Sequence, residues 1–245
     1  MAAELTRTST RRAALVGLLG MGLVAGSIPT LASKHHSGHE KSAVSTAEAD
    51  TAKDTGQVAA ASEVTTAGRF KTVKKTFSFN GVVGIDVLGP SKQYPAAITV
   101  SGFKRGRIKD VNVRIPAFFH DFPQDVDLLL VGPQGQQAII FSDVGGAIPT
   151  PNPRDVTLDD EATQALTVDA PLVNGTFKPT NGDGVDVFPA PAPELNRDEH
   201  LGLAVFDGTN PNGQWQLFLV DDGADDGGVL LAPGWTITIT ARVPR

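Results

Sequence analysis

The chain contains no cysteine. Disulfides, thiolate catalysis, Cys-ligated zinc and a lipid-modified N-terminal cysteine are therefore excluded. Aromatics are scarce: two Trp and one Tyr leave little with which to stack a sugar. Cations are outnumbered, with Lys+Arg 21 against Asp+Glu 27 and a formal net charge of -6. Phosphate recognition needs a dense basic patch and none is evident in the sequence, which argues against nucleic acid as a partner. Sustained helical periodicity is missing too. What the chain does have is Gly 26 and Pro 17, many turn signals, and 40% hydrophobic residues over 245 positions, enough to build a core.

The first residues read "MAAELTRTSTRRAALVGLLGMGLVAGSIPTLAS". Arg7, Arg11 and Arg12 precede an apolar, Gly-rich run from Ala13 to Gly26, and small-residue cleavage sites follow. This is the order of an export signal, and Thr10-Arg11-Arg12-Ala13 resembles the twin-arginine type used in bacteria. The run is too short to span a bilayer, so the membrane is expected to matter only during export. Residues 1–33 are expected to be a cleaved signal peptide and the protein to work as a secreted or cell-surface bacterial protein. Residues 34–69 are rich in small and charged residues and contain no Phe, Tyr or Trp, which predicts a disordered linker. His35, His36 and His39 in it could bind a transition metal, but nothing downstream supplies a second half of such a site.

From residue 70 to residue 245 the pattern turns to alternation. In "RIKDVNVRIP", Val111, Val113 and Ile115 share one face while Asp110, Asn112 and Arg114 take the other. "AAITVSG" alternates in the same way, and "VDLLLVGP" is apolar on both faces, as an interior strand is. "QQAIIFSD" follows a Pro-Gln-Gly turn and predicts a hairpin with it. Trp215, Leu217 and Leu219 line one strand; Trp235, Ile237 and Ile239 line another. The expected fold is one all-β domain, a jelly-roll-like antiparallel β-sandwich, with the two tryptophan strands paired antiparallel around an aspartate-rich turn.

"RIKDVNVRIPAFFHDFPQDVDLLLVGPQGQQAIIFSD" and "NGQWQLFLVDDGADDGGVLLAPGWTITI" carry a family resemblance. The first resembles a strand, a histidine, an Asp-Leu strand and a Pro-x-Gly turn of the P domain, or Homo B domain, of subtilisin-like proprotein convertases. The second resembles that family's closing Gly-x-Trp-x-Leu…Asp…Asp-x-Gly…Trp segment. The resemblance spans residues 70 to 241 and is nearer to the bacterial variant found in secreted proteins. It implies a non-catalytic accessory domain associated with serine endopeptidases and proteolysis, and a structural role for His120. The expected partner is a secreted subtilisin-like protease, stabilised or regulated through protein–protein contact. The alternative is a cell-surface module that binds a protein or polymer, with or without calcium.

The residues themselves supply little for hydrolysis. Beyond the linker the serines are Ser78, Ser91, Ser101 and Ser142, and the histidines are His120 and His200. None of these serines lies in Gly-x-Ser-x-Gly or in the Gly-Thr-Ser setting of a subtilisin nucleophile. The aspartates cluster in Gly-rich turns rather than around an aromatic cleft, which disfavours a glycosidase. No catalytic residue is expected.

Asp221, Asp222, Asp225 and Asp226 crowd into six positions. Either the solvent screens an exposed turn, or a cation neutralises the group; calcium is the natural one, since it takes six to eight hard oxygen ligands. An EF-hand register fails, because it places Ala224 and Pro233 where ligands are required. A calcium site would have to combine loops, and Asp125, Asp127, Asp143 and Asp221 are the candidate ligands. The alternative is turn chemistry, in which Asp caps backbone amides and Gly supplies positive φ. For Asp127 and Asp143, which adjoin apolar strands, a cation, Arg107, Arg114 or a backbone amide would each serve as partner.

Overall fold

The computed structural model describes residues 68–182, 185–195, 202–224 and 227–245. The expectations for the export signal, for most of the linker with its three histidines, and for His200, Asp225 and Asp226 lie outside the described residues. In chain order the strands are β1 (Phe70–Phe79), β2 (Val83–Ile85), β3 (Gly89–Pro90), β4 (Ala96–Val100), β5 (Arg107–His120), β6 (Val126–Val131) and β7 (Gln137–Ser142). They continue with β8 (Arg154–Leu158), β9 (Gly175–Phe177), β10 (Thr180–Asn181), β11 (Gly213–Asp221), β12 (Gly228–Leu230) and β13 (Trp235–Pro244). The helical content among the described residues is two 3-10 turns, Pro123–Asp125 and Leu203–Phe206.

These strands form two sheets. The first runs β1-β13-β5-β12-β2, with β8 also on β5 and β9 on β8. The second runs β10-β7-β6-β11-β3, with β4 also on β11. The all-β sandwich expected from the alternation is the observed one. Pairing is mostly antiparallel, but β8–β9 and β7–β10 are parallel, so both sheets are mixed. Parallel neighbours need long connections, and the segments between β8 and β9 and between β7 and β10 supply them.

The tryptophan strands do not pair with each other. β11 lies in the second sheet, against β6 and β4, while β13 lies in the first, between β1 and β5. The aspartate-rich segment therefore crosses from one layer to the other. Both indoles still point inward, each fully buried, from opposite sides of one core. That is what period two demands when two sheets bury one face each against the other. Trp215 Nε1 donates to the Pro211 carbonyl at 2.9 Å, whereas Trp235 Nε1 has no partner among the described residues.

A second, smaller apolar cluster covers the outer face of the second sheet. Leu129 and Val131 of β6, Ile139 of β7, and Phe218 and Val220 of β11 are buried there beneath Phe188, with Tyr94, Ala192 and Leu195 packed alongside. The Tyr94 hydroxyl donates to the Pro189 carbonyl at 3.0 Å and its ring meets Phe218 edge-on. This cover explains why "VDLLLV" is apolar on both faces: one face looks into the sandwich and the other under the 185–195 segment. At about 1.5–3 kcal/mol per fully buried large apolar side chain, that cover is a substantial contribution to stability.

Candidate functional site

Alternation along β6 and β11 sorts the acidic residues onto two faces. Val126 and Leu128 belong to the inner core, so Asp127 between them must emerge on the outer face. In register, Asp127 lies opposite Val220 and Asp221 opposite Val126. Asp221 accordingly points into the sandwich and Asp127 out of it. Two polar sites result, built from residues that nearly touch in sequence.

The outer site centres on Ser142, the fully buried last residue of β7. Its hydroxyl lies 2.8 Å from Asp127 Oδ1, 3.0 Å from Asp143 Oδ2 and 2.7 Å from Asp186 Oδ1. A serine hydroxyl carries one proton and so satisfies one of three carboxylates as a donor. The rest of the negative charge is partly met by Asn181, whose Nδ2 donates to Asp186 Oδ2 at 2.7 Å. Burial, above all, pushes the Asp127 carboxyl up to about 8; the Ser142 hydrogen bond opposes that rise, and the charges of Asp186, Asp222 and Asp143 add to it. Asp222 is raised as well, first by burial and then by Asp186.

Local backbone chemistry sets this geometry. Asp143 adopts φ 54, and Gly145 and Gly146 follow at φ 91 and 70, a left-handed turn that swings the chain off the end of β7. Gly182 packs so closely on the Asp143 carbonyl that a side chain there would collide with it. The parallel pairing of Asn181 with Ser142 then brings the 185–195 cover across the sheet, and Asp186 with it.

Calcium fits the donor set. The ligand oxygens of Asp127, Asp143 and Asp186 all lie within 4.8 Å of one another. Two oxygens bound to one Ca²⁺ at about 2.4 Å can be no farther apart than about 4.8 Å. The donors are hard, charged oxygens, and the buried Asp127 carboxylate is the kind of group that needs a compensating charge.

The inner site is a different object. His120, the last residue of β5, and Asp221, the last of β11, are both fully buried. His120 Nε2 lies 3.1 Å from Asp221 Oδ2, and Nδ1 lies 2.9 Å from the Phe122 carbonyl oxygen. The other Asp221 oxygen accepts from the Gly223 N–H at 2.9 Å. The His120 backbone exchanges two hydrogen bonds with the Thr150 hydroxyl, each at 2.9 Å. This network ties the ends of three segments together inside the core.

Of the four expected calcium ligands, the structure brings Asp127 and Asp143 together. Asp221 is instead held by His120, while the Asp125 carbonyl accepts the Asp222 N–H at 2.9 Å and the Asp125 carboxyl lies beside Gly223. Asp186 is the residue the sequence reading missed, and it arrives through the parallel β7–β10 pairing. The partners of the buried aspartates also differ from the expected ones: Arg114 is engaged with Asp155 on the exposed face, and Ser142 bonds Asp127 in its place. A second acidic group, Asp110, Asp159 and Glu161, lies on the first sheet; its neighbour Asp160 is used as a cap, accepting from the Leu203 and Ala204 N–H groups at 2.9 and 2.6 Å.

No family model and no curated protein matches this chain. Among solved structures, it is similar to the crystal structure of a serine protease of Aeromonas sobria, at 12% identity and TM-score 0.35, over 73% of this chain and 28% of that one. The same protease in complex with its chaperone gives 11% identity and TM-score 0.36, over 72% and 27%. This chain thus spans little more than a quarter of the length of either neighbour, and at these values neither likeness assigns it an activity.

Proposed function

We propose that this sandwich is a non-catalytic accessory domain of the P-domain type that steadies or regulates a subtilisin-like serine endopeptidase by protein–protein contact. The observation that carries the non-catalytic part is the fate of Ser142 and His120. Both are fully buried, the serine is enclosed by three carboxylates, and the histidine is committed to Asp221 and Phe122. A nucleophile must be met by a base and reached by substrate, and these two residues occupy separate structural networks. The accessory part is supported by the order of motifs from the β5 strand to the Trp235 strand.

In this reading calcium is a structural ligand. Asp127, Asp143 and Asp186 hold it, and its charge takes the place of the proton that burial otherwise forces onto Asp127. The bound ion supplies no chemistry beyond fixing the end of β7 and the 185–195 cover. The test of the accessory role is to add the purified chain to co-secreted subtilisin-like proteases and record their thermal midpoints and turnover. A shift in either supports the reading; if every such protease is indifferent to it, the reading fails. The alternative of a cell-surface binding module predicts instead that the chain is retained on cell-wall material with no protease present.

A further inference from the structure

Three segments that are far apart in sequence meet at one end of the first sheet. They are residues 68–79, residues 101–109 and residues 240–245, and all three carry Lys and Arg without any Asp or Glu. Strand pairing joins them: Arg107 is the register partner of Arg242, which in turn lies opposite Thr72. The Arg245 N–H donates to the Arg69 carbonyl at 2.9 Å, and Lys75 Nζ donates to the Gly102 carbonyl at 2.9 Å. The result is a basic rim of Arg69, Lys71, Arg105, Arg107, Arg242 and Arg245, each exposed, on a chain whose net charge is -6. Among the described residues none of these six is in an ion pair. Asp110, which accepts from the Thr240 hydroxyl at 3.3 Å, borders the rim, and Lys109 lies in the field of Asp207 and is left out of it.

At one side of the rim is an open cavity of about 390 Å³ lined by Arg105, Gly106, Arg107, Asn210 and Asn212, with no carboxylate in its wall. Its frame is fixed. Asn212 accepts from the Phe103 N–H at 3.0 Å and donates to the Phe103 carbonyl at 2.7 Å, while Gln134 and Asn210 exchange bonds at 3.1 and 3.2 Å. Gly106 lies so near Phe103 that a Cβ would sit 2.9 Å from the Phe103 Cβ. The two guanidiniums are therefore presented from a pinned turn, beside an Asn210 carboxamide nitrogen that makes no described bond.

We propose that this end of the sandwich binds an inorganic polyphosphate chain, since among its described residues it offers nucleic-acid bases no stacking platform beyond Phe70, which lies under Arg242. Arg105 and Arg107 grip one phosphate in the cavity, and Arg242 and the cations of β1 carry the contact onward across the sheet. Guanidinium forks match the geometry of phosphate oxygens and bind them bidentately. Strands about 4.8 Å apart spread the cations over more than one anion's width, which suits a chain of charges better than a single ion. A protein partner is disfavoured, because protein interfaces centre on apolar anchors and the rim's one exposed aromatic, Phe70, is covered by the Arg242 guanidinium at 4.0 Å. The inference goes beyond the protease-accessory reading and rests on other residues.

The test is fluorescence anisotropy of labelled inorganic polyphosphate against the full chain as salt is raised. With four phosphates neutralised, affinity should fall about 50-fold between 50 and 200 mM salt, the slope expected for a single-stranded polyanion. Arg105→Gln/Arg107→Gln removes the grip on one phosphate, and should weaken binding by about tenfold or more and flatten the slope by about 0.7. Arg242→Gln should weaken binding by about threefold and flatten the slope by about 0.7, and Lys92→Gln, at the ion pair with Asp86, should change nothing. If the double variant does not melt as a folded protein, Arg242→Gln decides. Binding that ignores salt, variants that bind as the parent does, or polyglutamate, heparin or anionic vesicles captured in preference to polyphosphate would each overturn the proposal. Protease indifference to the chain leaves this result untouched, and a failure here leaves the accessory reading untouched.

Discussion

The two ends of the sandwich are built from the same strands yet carry opposite charge by opposite means. At the His120 end of β5, Asp127 and Asp221 are buried, the acidic groups are held by hydrogen bonds to Ser142, Asn181 and His120, and burial raises Asp127 toward neutrality. At the Arg107 end, cations are exposed and without ion-pair partners among the described residues. The two ends carry different energetic costs. Buried charge must be compensated within the fold or by a bound ion, so the acidic end governs stability. Exposed charge in water changes folding energy little, so the basic end is free to serve recognition.

Several measurements would sharpen or break that contrast, beginning with the largest effect. Asp221→Ala strips the buried His120 ring and the Gly223 N–H of their acceptor, and should cost about 3–5 kcal/mol in chemical denaturation. A loss below 1 kcal/mol would show that the inner pair is no anchor. Next is calcium: at 100 times its dissociation constant it should add about 2.7 kcal/mol, read as a rise in melting temperature. Asp127→Asn should abolish that rise. If calcium stabilised the variant as well as the parent, the outer site would not be the one that binds it.

The pH dependence of the calcium-free protein comes third. The Asp127 carboxyl is raised from its ordinary value of 3.8 to about 8, so between those limits the folded state holds a proton that the unfolded state has released. Its stabilising contribution is complete below about pH 4 and is lost as pH climbs to about 8, at up to about 1.4 kcal/mol per pH unit. Calcium, which competes with that proton, should bind more tightly and flatten the decline as pH rises. A stability that instead grew with pH across this window, traced to Asp127 by the Asn variant, would contradict the burial of the group.

The tryptophans give a smaller contrast. Trp215→Phe and Trp235→Phe remove similar apolar surface, but only Trp215 loses a hydrogen bond, to Pro211. Trp215→Phe should therefore be the costlier by about 1 kcal/mol in urea melts. The smallest effect is expected at the basic rim: Arg105→Gln/Arg107→Gln should move stability by less than about 0.5 kcal/mol. A large loss would mean that the cations hold the fold together rather than face a ligand.

The strands were legible because alternation is a local property. Val111, Val113 and Ile115, like Trp215, Leu217 and Leu219, announce one buried face to any reader of the sequence, and all six are buried. The pairing of strands is not local. Trp215 and Trp235 look like hairpin partners because they are close in sequence, yet Gly228–Leu230 docks on the far end of β5 and carries β13 into the other layer. The site was half legible for the same reason. Asp127 and Asp143 flank the β6–β7 hairpin and could be brought together on paper, whereas Asp186 reaches them only through the parallel β7–β10 register. Parity would have separated Asp127 from Asp221, but only once the register of β6 against β11 was known.

By itself, then, the sequence determined an all-β domain from residue 70 onward, the burial of both indoles and the lack of any thiol chemistry, because composition and a two-residue period act on each strand separately. Tertiary structure alone decided that the tryptophan strands face each other across the core. It also decided that Ser142 is enclosed by three carboxylates, and that cations from three separate segments form one rim. Charges and ligands act through space, and the distances between them are set by long-range strand register rather than by separation along the chain.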